Sequence, residues 1–225
     1  SIMRGFKALA KERRASGEPQ VKGPRPLLTF PGGLETLPAC IKGTLGTRIR
    51  LRHVVHGIQS MASSGGGWQV NAAIGERHVT YDASHVILAA PAWVTSELVE
   101  RHNPDAAACL RAIPYPHVAS VSLGYPVNAV RHPLDAFGFL VGSNIPIPDH
   151  CRVLGALFLT SIFDGRAPEG HVSISVMMGG TRQPELASAS DRELVERARN
   201  VLGLVLGVRG MPSAVHVKRW AQAIP

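Results

Sequence analysis

Residues 27–38 read LLTFPGGLETLP and join a short apolar run to a helical pattern through one proline and two glycines. After the glycines, apolar residues recur at the 3.6-residue period of a helix, at Leu34, Leu37, Ile41 and Leu45. The order predicts a strand over residues 27–30, a tight turn and then a helix. Backbone N–H groups at such a helix start can face an anion, although this stretch alone is more typical of a plain turn.

The next ninety residues have the patterns of a hairpin, a buried strand and two helices. Alternation predicts strands over residues 48–59, 68–74 and 77–81, with a serine-glycine loop at residues 63–67. Residues 85–91, HVILAAP, are typical of a buried strand whose small final residues let a ligand approach the backbone. Helices are expected near residues 94–100 and 105–111.

The second half of the chain changes to short strands separated by proline and glycine turns. The predicted strands cover residues 117–125, 137–141, 153–160 and 171–178, with a last one at 214–220. A long helix is expected over residues 190–206, with Asp191 favouring its N-terminus. This pattern predicts a mainly antiparallel sheet backed by helices.

Composition and charge exclude several classes of protein. The chain has 225 residues, of which 45% are hydrophobic, so it can bury a sizeable core. It has neither a leader pattern nor an apolar run near the ~18 residues that would span a bilayer. Five of the eight net positive charges fall in residues 1–25. Aromatic residues make up 5% and do not alternate with basic ones, which argues against nucleic-acid binding.

The first residues predict a basic amphipathic helix. Ile2, Phe6 and Leu9 share one side of the helical period, and basic residues occupy the other. Such a helix can lie on an anionic membrane surface, or it can present an ordinary solvated face while packing on the rest of the protein. Residues 15–26, rich in glycine and proline, are expected to form a loop.

The usual motifs of metal, disulfide and hydrolase chemistry are missing. Cys40, Cys109 and Cys151 are widely spaced, which fits a reducing compartment better than a disulfide framework. No metal site is expected, because His53 and His56 would point to opposite faces of a strand. The sequence contains no GxGxxG, no GxxxxGK[ST] and no GxSxG.

The order of several short segments along the chain is more informative than any one of them. Residues 30–38 resemble the glycine-pair segment of protoporphyrinogen oxidases and other amine oxidase-like flavoproteins. Later segments are similar to stretches more particular to the protoporphyrinogen oxidase family. These are GFLV at 138–141, LG at 154–155, FDGRAPEGH at 163–171, GG at 179–180, DRELV at 191–195 and RWAQAIP at 219–225.

This resemblance implies a fold and an activity. The fold is α/β (α+β), with part of an FAD-binding domain of the flavin amine-oxidase kind interrupted by a substrate domain on a mainly antiparallel sheet. The activity is FAD-dependent oxidation of protoporphyrinogen IX or coproporphyrinogen III to the porphyrin, with oxygen as the expected acceptor. Because the cofactor carries the redox chemistry, no catalytic acid or base is assigned.

The resemblance also implies domain boundaries and places two segments outside the chain. Residues 1–24 would be a remnant of a helical membrane-associating domain, 25–98 part of the FAD-binding domain, 99–213 the substrate domain and 214–225 a return strand. The N-terminal glycine motif and a C-terminal flavin segment would lie beyond the chain. We therefore expect the 225 residues alone to bind FAD poorly and to be inactive.

The residues that match the motifs receive roles from the resemblance. Val55 would contact the adenine end of FAD through its backbone, and Trp220 would lie beside the flavin. The tetrapyrrole pocket would be lined by Phe137, Gly138, Leu140 and Met177. Ordinary core packing is the alternative for the large apolar members of that set. Gly142 stands where the family commonly has proline, so the resemblance does not predict the conformation of the pocket loop.

Two other functions remain open. The first is another enzyme of the same superfamily, such as a carotenoid desaturase or an amine oxidase, the latter expected to show an aromatic cage. The second is a non-catalytic membrane-surface module that uses the basic N-terminal helix. For the protoporphyrinogen oxidase reading we expect a cytoplasmic protein in peripheral contact with the inner face of the membrane. Homodimerisation of the full-length protein is left open.

Overall fold

The computed structural model describes residues 27–61 and 66–224. The chain divides into two compact units, Ser1–Gly46 and Thr47–Pro225. The predicted amphipathic helix, the loop at 15–26 and most of the serine-glycine loop lie outside the described residues. The domain boundaries drawn from the resemblance stay a prediction.

In the first unit a turn leads into a single helix. The Gly33 N–H donates to the Phe30 carbonyl oxygen at 2.8 Å, and Gly33 has a φ of 86°, which favours glycine. Helix α1 then spans Thr36–Leu45 and ends at Gly46. The predicted strand at residues 27–30 is wrong, since these residues form neither strand nor helix. The four apolar residues at helical spacing are exposed.

The second unit begins with a three-stranded antiparallel sheet, ordered β1-β2-β3. The strands span Val54–Ser60, Trp68–Ile74 and Arg77–Ala83. Strand β1 is shorter than predicted, because the chain is still turning at Arg52, whose φ of 59° lies in the left-handed region. Residues 48–53 of the predicted strand therefore comprise the end of a 3-10 helix, a turn at residues 51–52 and irregular chain.

Residues 85–91 do not form the buried strand that their composition suggests. They run without strand pairing, and the Ile87 side chain is 92% exposed. Within the described residues neither sheet provides a neighbour for them. Helices α2 (Ala92–Val99) and α3 (Pro104–Arg111) follow, close to the predicted positions. Asn103 caps α3 by accepting a hydrogen bond from the Ala106 N–H at 3.0 Å.

The second unit also contains a five-stranded sheet, and each of its strand pairs is antiparallel. The strand order is β5-β6-β7-β4-β8. The strands are β4 (Val118–Pro126), β5 (Gly138–Leu140), β6 (Gly155–Phe158), β7 (His171–Gly179) and β8 (Ala214–Trp220). The predicted antiparallel sheet is confirmed. Strand β6 ends earlier than expected, because the short helix α4 (Leu159–Ile162) follows it directly.

Helix α5 (Asp191–Leu206) covers one face of this sheet. Ser190 caps it by accepting a hydrogen bond from the Glu193 N–H at 3.2 Å, and Gly207 ends it in the left-handed conformation. The buried residues of the helix recur at helical spacing, and those of the strands alternate. The fully buried members include Val121, Leu123, Ile174, Val176, Met178, Leu194, Ala198, Val201 and Leu202.

No helix within the described residues is both long and apolar enough to cross a membrane. The same residues hold three free cysteines, of which Cys40 and Cys109 are exposed and Cys151 is buried.

Replacing Leu202 with alanine tests the contact between α5 and the sheet. Leu202 is fully buried, so Leu202→Ala should lower the free energy of unfolding by about 2–5 kcal/mol through lost burial and a cavity. Leu204, on the same helix, is 57% exposed, and Leu204→Ala should change stability by less than about 0.5 kcal/mol. Urea unfolding of both variants measures the difference. Equal effects would contradict the described packing.

Cysteine alkylation provides a second test. Burial raises the pKa of the Cys151 thiol, which also lies in the core and is only 3% exposed. Iodoacetamide under native conditions should therefore modify Cys40 and Cys109 first and reach Cys151 only after unfolding. Peptide mass spectrometry over time gives the order. Early labelling of Cys151 would show that this side of the core opens readily.

Candidate functional site

The strand side chains that point away from α5 form one surface, which we call the open face. Strand pairing places them in cross-strand rows. One row reads Leu140, Gly155, Met177, Ser120 and Lys218, and the next reads Gly138, Leu157, Ser175, Ser122 and His216. Three of the predicted pocket residues, Gly138, Leu140 and Met177, therefore lie on the same surface in adjacent rows.

The β5 and β6 side of the open face is apolar. Leu140 is 90% exposed and Leu157 is 44% exposed, while Met177 on the neighbouring strand is half-buried. We call these three side chains the apolar strip. Leucine side chains this exposed on a sheet face are available to a ligand rather than to the core. Core packing is therefore wrong as an explanation of Leu140.

Two glycines let β5 and β6 approach each other closely. A Cβ on Gly138 would collide with the carbonyl oxygen of Ala156, and one on Gly155 with that of Phe139. Gly138 also has a φ of 150°, which L side chains rarely adopt. Glycine is thus needed at both positions, and it leaves a smooth surface between the leucines.

Small hydroxyl side chains occupy the middle of the open face. Ser122 Oγ donates to Ser175 Oγ at 3.1 Å, so the two central strands are tied together on this side. Ser120 and Ser175 are each only 8% exposed. Short side chains at the centre make a low, flat floor on which a planar molecule can lie without meeting a protruding group.

Trp220 lies on the open face at the end of β8, and its side chain is 40% exposed. It borders a cleft of about 470 Å³ that also includes His117 and residues 187–191. On the opposite face, the Arg219 guanidinium donates to the carbonyl oxygens of Ala187 at 3.2 Å and Ala189 at 2.6 Å. An ion pair with Asp191 completes these contacts. Arg219 therefore fixes the end of the strand that carries Trp220.

Phe137 lies just before β5. Its side chain is 62% exposed, and its carbonyl oxygen accepts a hydrogen bond from the Phe158 N–H at 2.9 Å. The hydrogen bonding between β5 and β6 therefore extends to Phe137, although this residue lies outside β5. Like Leu140, Phe137 is not a core residue.

Val55 belongs to the other sheet. It pairs with Ala72 while Gly57 pairs with Asn71, so His56 is an extra residue that forms a β-bulge. Strand β1 is an edge strand, and the outward backbone groups beside Val55 have no strand partner among the described residues. The Val55 side chain is 37% exposed. A ligand could thus hydrogen-bond the backbone there, but Val55 is not on the open face.

The structure adds residues that the sequence prediction missed. Leu157 belongs to the apolar strip, and Ser120, Ser122 and Ser175 form the floor beside it. Alternation within residues 153–160 could have identified Leu157, since it shares the period of Gly155. The serines give no apolar signal, and only the strand register reveals where they lie.

Tyr125 and Cys151, whose side-chain pKa values are raised, lie on the core side of the sheet. Burial raises the pKa of the Tyr125 hydroxyl, and the nearby Arg199 guanidinium partly offsets this effect. The Cys151 thiol, whose pKa is also raised, is in the same core. Neither group is presented to a ligand on the open face.

Comparison with known proteins identifies the family of the chain. Residues 11–225 match the family described as "Flavin containing amine oxidoreductase". The chain belongs to that family. The predicted fold class and the predicted resemblance to flavin-containing amine oxidase-like proteins are thereby confirmed.

Within the flavin-containing amine oxidoreductase family, the chain is similar to curated proteins that are named as oxidases of porphyrinogens. Protoporphyrinogen oxidase 1, chloroplastic, of Arabidopsis thaliana is 30% identical over 100% of this chain and 43% of its own length. Coproporphyrinogen III oxidase of Propionibacterium freudenreichii subsp. freudenreichii is 33% identical over 64% of this chain and 26% of its own length. The chain thus spans less than half the length of these relatives.

A solved structure has the same fold. A protein from Exiguobacterium sp. 255-15 superposes with a TM-score of 0.67 over 88% of this chain and 40% of that protein, at 20% identity. At this identity the match establishes the fold alone.

Gly155→Ala tests the close approach of β5 and β6. The added methyl group would meet the Phe139 carbonyl oxygen, so the variant should lose about 1–3 kcal/mol of stability through forced strand separation. Gly43→Ala is the matched control, because its Cβ would have no neighbour within 4 Å in a helix that favours alanine. Thermal unfolding compares them. A Gly155→Ala variant as stable as the parent would contradict the described strand spacing.

Proposed function

We propose that this protein oxidises a porphyrinogen, protoporphyrinogen IX or coproporphyrinogen III, to the porphyrin with FAD as cofactor. The observation that supports this most directly is the flat, partly apolar open face formed by Leu140, Leu157 and Met177 beside a floor of glycines and serines. The similarity to protoporphyrinogen oxidase along the whole chain supports the same substrate class.

The open face suits a large, flat, apolar ring. Its central side chains are short, so the ring can make contact over its whole plane rather than at a few points. The apolar strip gains free energy when the ring covers it, at about 25 cal/mol for each Å² removed from water. The role of these residues is to bind and orient the ring, because the hydride acceptor is the cofactor.

FAD fits two of the exposed edges. Strand β1 is an edge strand, so the backbone beside Val55 is open to the adenine end, which needs only main-chain hydrogen bonds there. Trp220, held in place through Arg219, would lie beside the flavin ring. When bound, FAD would supply the acceptor for each of the three two-electron oxidations that convert a porphyrinogen to a porphyrin, and the residues named here would position both molecules. In this proposal Phe137 and Gly138 complete the edge of the tetrapyrrole pocket.

The proposal also assigns roles to the two main parts of the chain and an electron acceptor. Residues 25–98 would contribute to the FAD-binding domain and residues 99–213 to the substrate domain, with oxygen reoxidising the flavin. Cytoplasmic location and peripheral membrane contact through the basic N-terminal segment stay predictions, because that segment lies outside the described residues. Homodimerisation of the full-length protein is likewise a prediction.

An amine oxidase is less well supported as the specific activity. Trp220 is the one aromatic residue among the described strand positions of the open face, so these positions form no aromatic cage. The same positions include Lys218 and His216. A lysine ammonium there would repel a protonated amine substrate.

The direct test is oxidation by the intact protein loaded with FAD. Protoporphyrinogen IX, coproporphyrinogen III and putrescine are supplied in turn, and porphyrin fluorescence and peroxide are recorded. We expect at least one porphyrinogen to be oxidised and putrescine to be left unchanged. Oxidation of putrescine without any porphyrin formation would contradict the proposal.

A variant connects that activity to the open face. Met177→Glu places a carboxylate in the apolar strip, and covering that charge with a ring costs several kcal/mol, so kcat/KM should fall more than tenfold. Leu204→Glu makes a similar change on the exposed side of α5, where the side chain is 57% exposed, and should leave kcat/KM unchanged. Equal kcat/KM values for the two variants would contradict the assignment of Met177 to the substrate site.

A further inference from the structure

The open face carries charge of one sign only. Among the strand residues on that face, none is aspartate or glutamate, whereas His171, His216 and Lys218 are basic. Within residues 27–61 and 66–224, no carboxylate forms an ion pair with Lys218. The asymmetry is therefore a property of the surface and is not neutralised by described neighbours.

The basic residues are separated from the apolar ones across the sheet. The apolar strip lies on β5, β6 and β7, and Lys218 and His216 lie on β8. Lys218 is two strands from Met177 in the same row, which corresponds to about 10 Å at the usual strand spacing. The serines of β4 and β7 fill the space between them. A ligand on this face would meet an apolar side and a cationic side.

A cleft extends the basic side. Its volume is about 450 Å³, and its lining includes Arg166, His171 and His216 together with the hydroxyl-bearing Ser173 and Ser213. None of the described residues that line it carries a carboxylate. The Arg166 guanidinium lies over the Phe163 ring, 5.5 Å from its centroid. Because Ser122 and Gly124 also line the cleft, it is continuous with the open face.

We propose that Lys218 and His216, with the adjoining cleft, form a carboxylate-binding strip that orients the substrate on the open face. The acidic side chains of the substrate lie toward β8, and its ring lies on the apolar strip. This inference rests on the proposed function and deepens it by specifying the orientation of the bound porphyrinogen on the sheet. Hydrogen bonds from an ammonium group to a carboxylate are about twice as strong as neutral ones, so Lys218 dominates the preference.

The phosphates of FAD are the other anions that such a strip could attract. The basic residues share a face with the apolar strip, which favours the substrate, and the Val55 bulge proposed for the adenine end is in the other sheet. Trp220, proposed to lie beside the flavin, is on the same face of β8 as Lys218, so the cofactor is within reach of the strip as well. The experiment therefore records FAD content together with porphyrin binding, so that the two sources of anion are separated.

The test uses the intact, FAD-loaded protein and two probes, protoporphyrin IX and its dimethyl ester. The two probes share a ring but differ in charge, and their Kd values come from fluorescence quenching. We expect the parent protein to prefer the diacid. Lys218→Gln combined with His216→Gln should weaken diacid binding at least tenfold, leave ester binding within twofold and keep the FAD content. Arg192→Gln, an exposed basic residue of α5, is the matched control and should keep the preference.

Lys218→Arg should also retain the preference, because it keeps the positive charge and the donor groups. Equal binding of diacid and ester by the parent, or a parallel loss of both in the double variant, would overturn the carboxylate strip while leaving the proposed function standing. Loss of FAD with an unchanged diacid preference would overturn it too, because the basic residues would then serve the cofactor. Failure to bind either porphyrin would overturn the proposed function as well.

Discussion

The packing of α5 against one face of the five-stranded sheet is the constraint from which the rest of the second unit follows. The helix places Leu194, Ala198 and Leu202 against alternating strand residues, and all of them are fully buried. Because strand side chains alternate, fixing one set in the core fixes the other set on the opposite side. The ligand-facing surface is therefore a geometric consequence of the core, and a one-residue slip of any strand would exchange the two.

Regular elements with strong local patterns could be predicted from the sequence. Helix α5 was predicted within one residue at its N-terminus and to the residue at its C-terminus, and β8 was predicted from residue 214 to 220, as the structure has it. The site residues stay a prediction, and three of them, Gly138, Leu140 and Met177, fall on one surface. Their grouping came from resemblance to a family. Leu157 and the serine floor were missed, since their importance depends on strand neighbours that are distant in sequence.

The failed predictions have a common physical cause. Residues 27–30 and 85–91 have strand-like composition, yet a strand is stable only when neighbours satisfy its backbone groups. Composition indicates that a segment can form a strand if a neighbouring strand is present. Whether such a neighbour is present depends on the whole sheet. The late start of β1 has a different cause, since Arg52 adopts a left-handed conformation that alternation does not reveal.

Both edge strands of the five-stranded sheet have features that hinder pairing with a strand of another molecule. Strand β5 has three residues, Gly138–Leu140, so it offers little length for another chain to pair with. Strand β8 is longer, but it carries consecutive basic residues, Lys218 and Arg219, which disfavour the addition of a further strand. Both features oppose aggregation through the sheet edges. The broad face can thus stay accessible without making the molecule prone to edge-to-edge association.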